Sequence, residues 1–282
     1  MPEYCTSGGP ITYGERGEGK GDPVVLLPAF PLNSRMWTPQ VEALTGARRV
    51  ITPDYAGFGK SPRPPAQPDV RYYAEQVRDL LDQLRLDRVV LGGLSMGGYV
   101  AFAFLRLFPE RVSALILANT RPDPDPEETK ETRREMARRV AEEGVEILPE
   151  LQMERLLSHN TLENKEMVVE FVRGMILASS PDGAVAALGA MRDRPDFTEL
   201  LGKIKVPTLV LGGAEDAIST PEVMGDMAEK IPDSRHLTFS GAGHLSNLEA
   251  PEEFNGALSE FLEKIVGTSA RQADTRKPIS DG

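Results

Sequence analysis

The segment 93–97 constrains the fold of this chain more than any other part of its sequence. It reads Gly-Leu-Ser-Met-Gly, with Ser95 at its centre, between the strand-like run 88–92 and an apolar, helix-like run at 99–108. A serine at such a junction has a strained backbone, tolerated only where the residues two before and two after it lack clashing side chains. The pattern predicts a strand, a sharp turn and a helix that expose the Ser95 hydroxyl as a nucleophile, rather than a glycine-rich turn that contains a serine by chance.

Three histidines are candidates for the general base that a serine nucleophile needs. His236 lies in an alternating, strand-like segment, and His159 lies in a polar break between helical stretches, where a surface position is expected. His244 instead lies in the glycine-flanked loop Gly-Ala-Gly-His-Leu at 241–245, after the last predicted strand. Such a loop projects an imidazole from the carboxyl edge of a sheet. We therefore predict that His244 is the base.

The carboxylate that orients the histidine is expected at the end of another strand. The buried-strand pattern at 206–213 is followed directly by Ala-Glu-Asp, which offers two acids. Asp216 is favoured because a polar, proline-terminated stretch that starts the next helix lies just beyond it, and Glu215 stays open as the alternative. The chain order Ser95, Asp216, His244 is that of nucleophile-elbow enzymes and not that of the chymotrypsin or subtilisin types.

These motifs resemble those of the α/β-hydrolase superfamily over about residues 24–266. Within it, the chain looks most like bacterial carboxylesterases and 3-oxoadipate enol-lactonase-like hydrolases. The resemblance implies an α/β-hydrolase fold, which is a mostly parallel sheet flanked by helices with an inserted helical lid. It rests on the elbow and the histidine loop, with support from Asp-Ala-Ile at 216–218, Phe-Pro-Leu-Asn-Ser-Arg-Met-Trp at 30–37 and Pro-Asp-Tyr-Ala-Gly-Phe-Gly-Lys-Ser at 53–61.

Two backbone N–H groups are expected to bind the oxyanion of the tetrahedral intermediate. Met96, directly after the nucleophile, supplies one of them. The resemblance places the other at Phe30, since Pro31 has no N–H to donate. Family members usually carry His-Gly before this donor, whereas this chain has Pro28 and Ala29. If the backbone there needs a positive φ, Ala29 strains it by ~1 kcal/mol, and losing one oxyanion donor would slow the reaction by ~10²–10³.

The apolar pattern divides the chain into a core and an insertion. Near-continuous apolar strands that alternate with amphipathic helices predict a mostly parallel sheet covered on both faces, after an early antiparallel strand at 11–13. We expect residues 1–120 and 197–266 to form this core, a helical lid at 121–196, and a disordered tail at 267–282. The strand patterns lie at 24–27, 50–52, 89–92, 112–118, 206–211 and 236–239.

Three features of these segments either allow two interpretations or depart from the pattern of the family. In the lid, Asp125 is the candidate N-cap of the first helix, and the Met and Leu side chains either line an acyl or alcohol pocket or pack on the core. Trp37 either forms a wall of that pocket or anchors its loop. Ala56 stands where relatives often have arginine, in a turn whose Asp54 is expected to be structural.

Composition narrows the function classes. The 282 residues carry a formal net charge of −11, which argues against binding to nucleic acid or to anionic membranes, because both need basic patches. A single cysteine, Cys5, allows no internal disulfide and no metal cluster. The chain has no secretion signal at its start and no apolar run of membrane-spanning length, so we expect a cytoplasmic protein that is not membrane-bound.

The sequence thus predicts a serine carboxylesterase that hydrolyses short-to-medium-chain carboxylic esters through an acyl-enzyme. The expected partner is a small-molecule ester or lactone, and no metal or organic cofactor is required. Three alternatives stay open: an enol-lactonase-like lactone hydrolase, which needs a cationic pocket; a cofactor-free perhydrolase or haloperoxidase; and a ligand-binding pseudohydrolase, for which only the altered loop at 28–29 argues.

Overall fold

A mostly parallel sheet forms the centre of the computed structural model, which describes residues 3–6, 9–19, 21–64 and 67–274. Its strands are β1 (Glu3–Thr6), β2 (Gly9–Arg16), β3 (Val24–Leu27), β4 (Val50–Pro53), β5 (Val89–Leu94), β6 (Val112–Ala118), β7 (Thr208–Gly213) and β8 (Ser234–Phe239). Their order in the described sheet is β1-β2-β4-β3-β5-β6-β7-β8. The pairs β1–β2 and β2–β4 are antiparallel and the others are parallel, as the sequence predicts.

Helices alternate with the parallel strands and supply the covering layers. The helices are α1 (Thr38–Leu44), α2 (Val70–Gln83), α3 (Met96–Leu107), α4 (Glu127–Glu143), α5 (Leu148–Leu156), α6 (His159–Asn164), α7 (Glu166–Leu177), α8 (Pro181–Arg192), α9 (Thr198–Leu201), α10 (Pro221–Glu229), α11 (Ser246–Glu249) and α12 (Pro251–Asp274). Strands β3, β5 and β7 are buried along their whole length, because helices cover both faces of the sheet. Within the described part of the chain, no helix combines the length and apolar character needed to cross a membrane.

Strand β7 lies two residues later than its sequence pattern. The strand starts at Thr208, directly after Pro207, which has no N–H to donate to the ladder. It ends at Gly213, where a Cβ would lie 2.1 Å from the carbonyl oxygen of Gly243. The end of β7 therefore approaches the histidine loop so closely that no side chain fits at Gly213.

The last helix extends past the core region. Helix α12 runs to Asp274, so residues 267–274 are helical where the sequence analysis expects a disordered tail. No proline interrupts the chain between 251 and 278, and each added residue of a growing helix contributes one further hydrogen bond. The rest of the predicted tail, 275–282, lies outside the described residues, as does the side chain of Cys5.

Helices α4 to α8 form an insertion between β6 and β7, and α4 packs against α8. The expected N-cap is wrong, because Pro126 occupies the cap position of α4 and its first turn receives no side-chain cap. The Asp125 carboxylate instead pairs with Arg133 at 2.5 Å and with Arg194 at 2.5 Å. Arg194 is buried, and a buried guanidinium needs a carboxylate partner more than a helix end needs a cap.

The insertion also contacts the turn at 53–61. The Ser180 hydroxyl donates to the Gly57 carbonyl oxygen at 2.9 Å, and a Cβ on Gly57 would lie 2.3 Å from Cα of Gly183. In the same turn, Asp54 accepts a hydrogen bond from the Ser34 N–H at 2.7 Å, and Gly59 lies against its carboxylate. The turn is thus structural, as expected, and it is the surface on which α8 begins.

The Asp125 ion cluster gives a stability prediction. Asp125→Ala leaves Arg194 buried without its carboxylate, so we expect the free energy of unfolding to fall by about 3–5 kcal/mol in denaturant titrations. The matched control is Glu127→Ala, which removes an exposed carboxylate that pairs with Arg134. It should change the stability far less. Equal losses in the two variants would contradict a structural role of the buried cluster.

Candidate active site

Ser95 occupies the turn between β5 and α3 with a backbone that few residues adopt. Its φ is 54° and its ψ is −114°. A Cβ on Gly93 would lie 2.2 Å from the carbonyl oxygen of Gly97, and a Cβ on Gly97 would lie 2.3 Å from that of Leu27. Both flanking glycines are therefore required by close backbone approach. The strand–turn–helix geometry that the sequence predicts is the one observed.

Hydrogen bonds from neighbouring segments fix this strained turn. The Ser95 N–H donates to the carbonyl oxygen of Ala118 at 3.0 Å. The Ser95 carbonyl oxygen accepts from the N–H of Gly98 and from the hydroxyl of Thr120, each at 2.9 Å. The backbone polar groups of Ser95 are thus satisfied while its side chain faces a cavity.

His244 and Asp216 form a buried, hydrogen-bonded pair. The Nδ1 atom of His244 lies 2.8 Å from Oδ2 and 3.0 Å from Oδ1 of Asp216, and the His244 and Asp216 side chains are 1% and 0% exposed. Glu215, the alternative acid, is exposed at the surface. His244 lines the same cavity as Ser95. The structure therefore brings the three residues that the sequence analysis selected to one place.

Polar partners favour the ionised form of Asp216. Its Oδ1 accepts from the N–H groups of Ile218 at 2.8 Å and Ser219 at 3.0 Å, and its Oδ2 accepts from the Asn119 amide at 2.9 Å. Burial alone would raise the pKa of this carboxyl. The charge of His244 and the hydrogen bonds from His244, Asn119 and Ser219 outweigh burial, so the pKa of Asp216 lies below its usual value.

Asn119 is a site residue that the sequence analysis missed. It follows β6 directly, with a positive φ of 43°, and its Nδ2 donates to Asp216 and also to the carbonyl oxygen of Gly243 at 3.2 Å. Its Oδ1 accepts from the hydroxyl of Ser246 at 2.5 Å. Asn119 thus connects the acid to the histidine loop. The available signal was a short polar side chain at the carboxyl end of a buried strand.

Glu249 is a second missed residue, and it attaches the insertion to the histidine loop. Its buried carboxylate accepts from the N–H of Gly243 at 2.9 Å and from the N–H of Ser158 at 2.7 Å. Beside it, the N–H of Leu245 donates to the carbonyl oxygen of Leu156 at 3.0 Å. The backbone on both sides of His244 is therefore bonded to the segment between α5 and α6.

The two expected oxyanion donors come from the turn at Ser95 and from the loop after β3. Met96 is the first residue of α3, where backbone N–H groups have no intrahelical acceptor. Phe30 follows β3 and lines the cavity with Ser95. The strain considered for Ala29 is absent, because the described non-glycine residues with positive φ do not include it. The Ala29 N–H faces the sulfur of Met36 at 3.1 Å.

Core and insertion together enclose the cavity at Ser95. Its volume is about 50 Å³, and it is open to solvent where the exposed residues Thr132 and Arg155 form part of its wall. A larger cavity of about 580 Å³ lies beside β2, β4 and α1 and contains none of the predicted site residues. Both interpretations of the Met and Leu side chains of the insertion hold for different members: Met136, Leu156 and Met191 line the cavity, whereas Leu148, Met175 and Leu188 pack in the core without lining it.

The other residues that the sequence analysis weighed lie outside this cavity. His159 is exposed beside Glu163, with 3.1 Å between Nε2 and Oε1. His236 lies in β8, where burial lowers its pKa. Trp37 is fully buried, and its ring centroid lies 6.2 Å from that of Phe254. Of its two interpretations, the anchor to the core is the one that the structure supports.

Comparison with known proteins agrees with this geometry. A family model described as alpha/beta hydrolase fold matches residues 22–251. A thermophilic esterase from Thermogutta terrifontis, solved with malate bound, superposes with a TM-score of 0.90 at 42% identity, over 94% of this chain and 98% of that one. A bromoperoxidase from Bacillus anthracis superposes with a TM-score of 0.80 at 26% identity, over 93% and 100%. The 3-oxoadipate enol-lactonase 2 of Acinetobacter baylyi is 26% identical over 90% of this chain and 94% of its own length.

The chain belongs to the α/β-hydrolase family, and the fold and family expected from the sequence are confirmed. Its relatives include hydrolases that act on esters and on an enol-lactone, and also peroxidases.

The clamp formed by Glu249 gives a second stability prediction. Glu249→Ala leaves the buried N–H groups of Gly243 and Ser158 without an acceptor, and each such group costs about 1–3 kcal/mol. We expect the free energy of unfolding to fall by about 2–6 kcal/mol in denaturant titrations. Glu252→Ala, an exposed glutamate at the start of α12, is the control and should leave stability near that of the wild type. Similar values for the two variants would argue against the clamp.

Proposed function

We propose that the protein is a serine carboxylesterase. The observation that carries the proposal is the cavity shared by Ser95 and His244, with Asp216 hydrogen-bonded behind the imidazole. This arrangement suits nucleophilic acyl transfer, because the hydroxyl needs a base and the base needs a carboxylate that fixes its tautomer. The esterase among the similar structures supports the same reaction class.

The reaction follows from these positions. His244 accepts the proton of the Ser95 hydroxyl as its oxygen attacks the ester carbonyl, and the N–H groups of Met96 and Phe30 stabilise the resulting oxyanion. The intermediate collapses when His244 returns the proton to the leaving alcohol, which gives an acyl-enzyme. A water molecule, deprotonated by His244, then attacks the acyl carbonyl, and the collapse of the second intermediate releases the acid and restores Ser95. Asp216 stays ionised throughout and stabilises the imidazolium.

The helical insertion acts as the lid of this site. Its residues Met136, Gln152, Leu156 and Met191 line the cavity opposite the core residues. The small volume favours short acyl groups.

A lactone is the second candidate substrate. Arg133 and Arg155 line the cavity, which supplies the cationic surface that the sequence analysis names as the requirement of an enol-lactonase. The similarity to the A. baylyi enol-lactonase supports this candidate. Ester and lactone hydrolysis use the same nucleophile and the same acyl-enzyme, so the two differ in the leaving alcohol, which stays attached to the acyl group of a lactone.

The proposed mechanism predicts a large effect of Ser95→Ala on turnover. The triad acts as a unit, so the loss of the nucleophile should lower kcat for p-nitrophenyl acetate by about 10⁴-fold or more while the fold stays intact. Among wild-type substrates, kcat/KM should fall as the acyl chain lengthens from acetate to dodecanoate. Ser113→Ala, in β6 and outside the cavity, is the matched control. Near-full activity in Ser95→Ala would exclude Ser95, and an inactive, folded wild type would favour a pseudohydrolase.

The low pKa of Asp216 predicts how its contribution to stability depends on pH. A carboxyl whose folded pKa lies below its unfolded value of about 3.9 stabilises the fold fully above that value and loses this effect as pH falls through the folded pKa. The difference in unfolding free energy between wild type and Asp216→Asn should therefore be constant near neutral pH and shrink below about pH 4. Denaturant titrations from neutral to acidic pH measure it, with the exposed Glu215→Gln as control. A difference that does not shrink in acid would contradict the assigned direction.

A further inference from the structure

We propose that the cavity at Ser95 recognises esters or lactones that carry a carboxylate group, which Arg133 and Arg155 bind. The inference rests on the proposed function, because it names the substrate class of the same site. Three observations carry it: the charges that line the cavity, an imbalance in the buried ion cluster beside it, and the missing ion partner of Arg155.

The cavity wall carries positive charge only. Arg133, from α4, and Arg155, from α5, line it, and no aspartate or glutamate is among the described residues of the wall. The nearest acid of the site, Asp216, lies behind His244 and is bonded to it. A substrate bound at Ser95 shares the cavity with both arginines.

The ion cluster behind Arg133 has one cation in excess. A single carboxylate, Asp125, pairs with both Arg133 and Arg194, and the three side chains are 4%, 17% and 1% exposed. The Arg194 guanidinium also lies over the ring of Tyr99, another residue of the wall, with 4.1 Å to its centroid. Arg194 also donates to the carbonyl oxygens of Asp123 and Met191, whereas Arg133 shares its only carboxylate partner and lines the cavity. A partly buried charge without a carboxylate of its own is unfavourable. A bound carboxylate would compensate it, so the cluster favours an anion in the cavity.

Arg155 differs from the arginines on the outer face of the insertion. Arg134, Arg138 and Arg139 of α4 each pair with a glutamate. Arg155 forms no ion pair or hydrogen bond with any residue that the structure describes, although it lines the cavity. A planar guanidinium donates two parallel hydrogen bonds to a carboxylate, and a lysine does not reproduce this geometry. Arg155 is itself exposed to solvent, but unlike the outer arginines it has no carboxylate partner in the described part of the chain that a bound carboxylate would have to displace.

The charges on the surface outside the cavity do not favour an anionic substrate. A neighbouring groove shares Thr132 and Met136 with the cavity and carries Glu128, Glu131 and Glu135. These glutamates face solvent, where salt screens their charge beyond about 8–10 Å. The net charge of −11 also repels anions at long range. Selectivity for a carboxylate must then come from the arginines of the wall, which are the partly buried Arg133 and the exposed Arg155.

A matched pair of esters tests the inference. Monomethyl succinate carries a carboxylate where methyl 4-methylpentanoate carries an isopropyl group of the same shape, and proton release reports hydrolysis of both. We expect the wild type to prefer the anionic ester in kcat/KM by at least about 10-fold, since a hydrogen bond to a charged group is worth roughly a factor of 10–100. Arg155→Gln and Arg133→Gln should each lower the ratio of the two kcat/KM values by about 10- to 100-fold. Arg173→Gln, on α7 and outside the cavity, should keep the wild-type ratio.

The outcomes separate this inference from the proposed function. A wild type that cleaves the neutral ester at least as well as the anionic one, or a ratio that neither arginine variant changes, overturns the carboxylate subsite and leaves the esterase in place. Hydrolysis of neither these esters nor p-nitrophenyl acetate, or full hydrolysis by Ser95→Ala, overturns the proposed function, whereas hydrolysis of p-nitrophenyl acetate alone overturns the subsite. Calorimetric titration of Ser95→Ala with monomethyl succinate then tests the subsite without turnover. Binding that the added Arg155→Gln change weakens by 10-fold or more supports the subsite, and no binding or equal binding overturns it.

Discussion

The hydrogen bond between His244 and Asp216 holds together three segments that leave the sheet at one edge. Asp216 follows β7, His244 follows β8, and Asn119, which donates to both Asp216 and the histidine loop, follows β6. The pairing requires the end of β7 to touch the loop that carries His244, and the absence of a side chain at Gly213 permits that approach. Burial of the Asp216 carboxylate would be unfavourable without these hydrogen-bond donors. The polar network therefore stabilises the ends of the three strands at this edge of the sheet.

The insertion is fastened to the same network. Glu249 binds one N–H in the histidine loop and one N–H between α5 and α6, so the wall of the cavity and the proposed base share an acceptor. Asp125 has a different part, because it pairs with arginines from both ends of the insertion itself. The buried carboxylate of Glu249 therefore joins the insertion to the core, and that of Asp125 joins the two ends of the insertion.

The parts of the site that could be predicted from the sequence are those set by local structure. The elbow and the histidine loop each lie within a few residues, and the carboxyl ends of parallel strands meet at one edge by geometry alone. The sequence analysis missed Asn119 and Glu249 because their partners Asp216 and Ser158 lie 97 and 91 residues away along the chain. Asp125 was assigned to a local cap for the same reason, since its buried partner Arg194 is 69 residues distant.

The contact between Gly57 and Gly183 has a consequence for how such a protein can diversify. Two backbones meet there without side chains, and Ser180 bonds to Gly57, so α8 starts from a fixed point on the core. Together with the Glu249 clamp, this contact fixes the insertion to the core at the start of α8 and between α5 and α6, whereas α4 contributes Arg133 and Met136 to the cavity wall. Substitutions along the inner face of α4 can then remodel the cavity without moving the backbone that carries His244. Substrate preference can therefore change through the wall of the cavity while the backbone around His244 keeps its position.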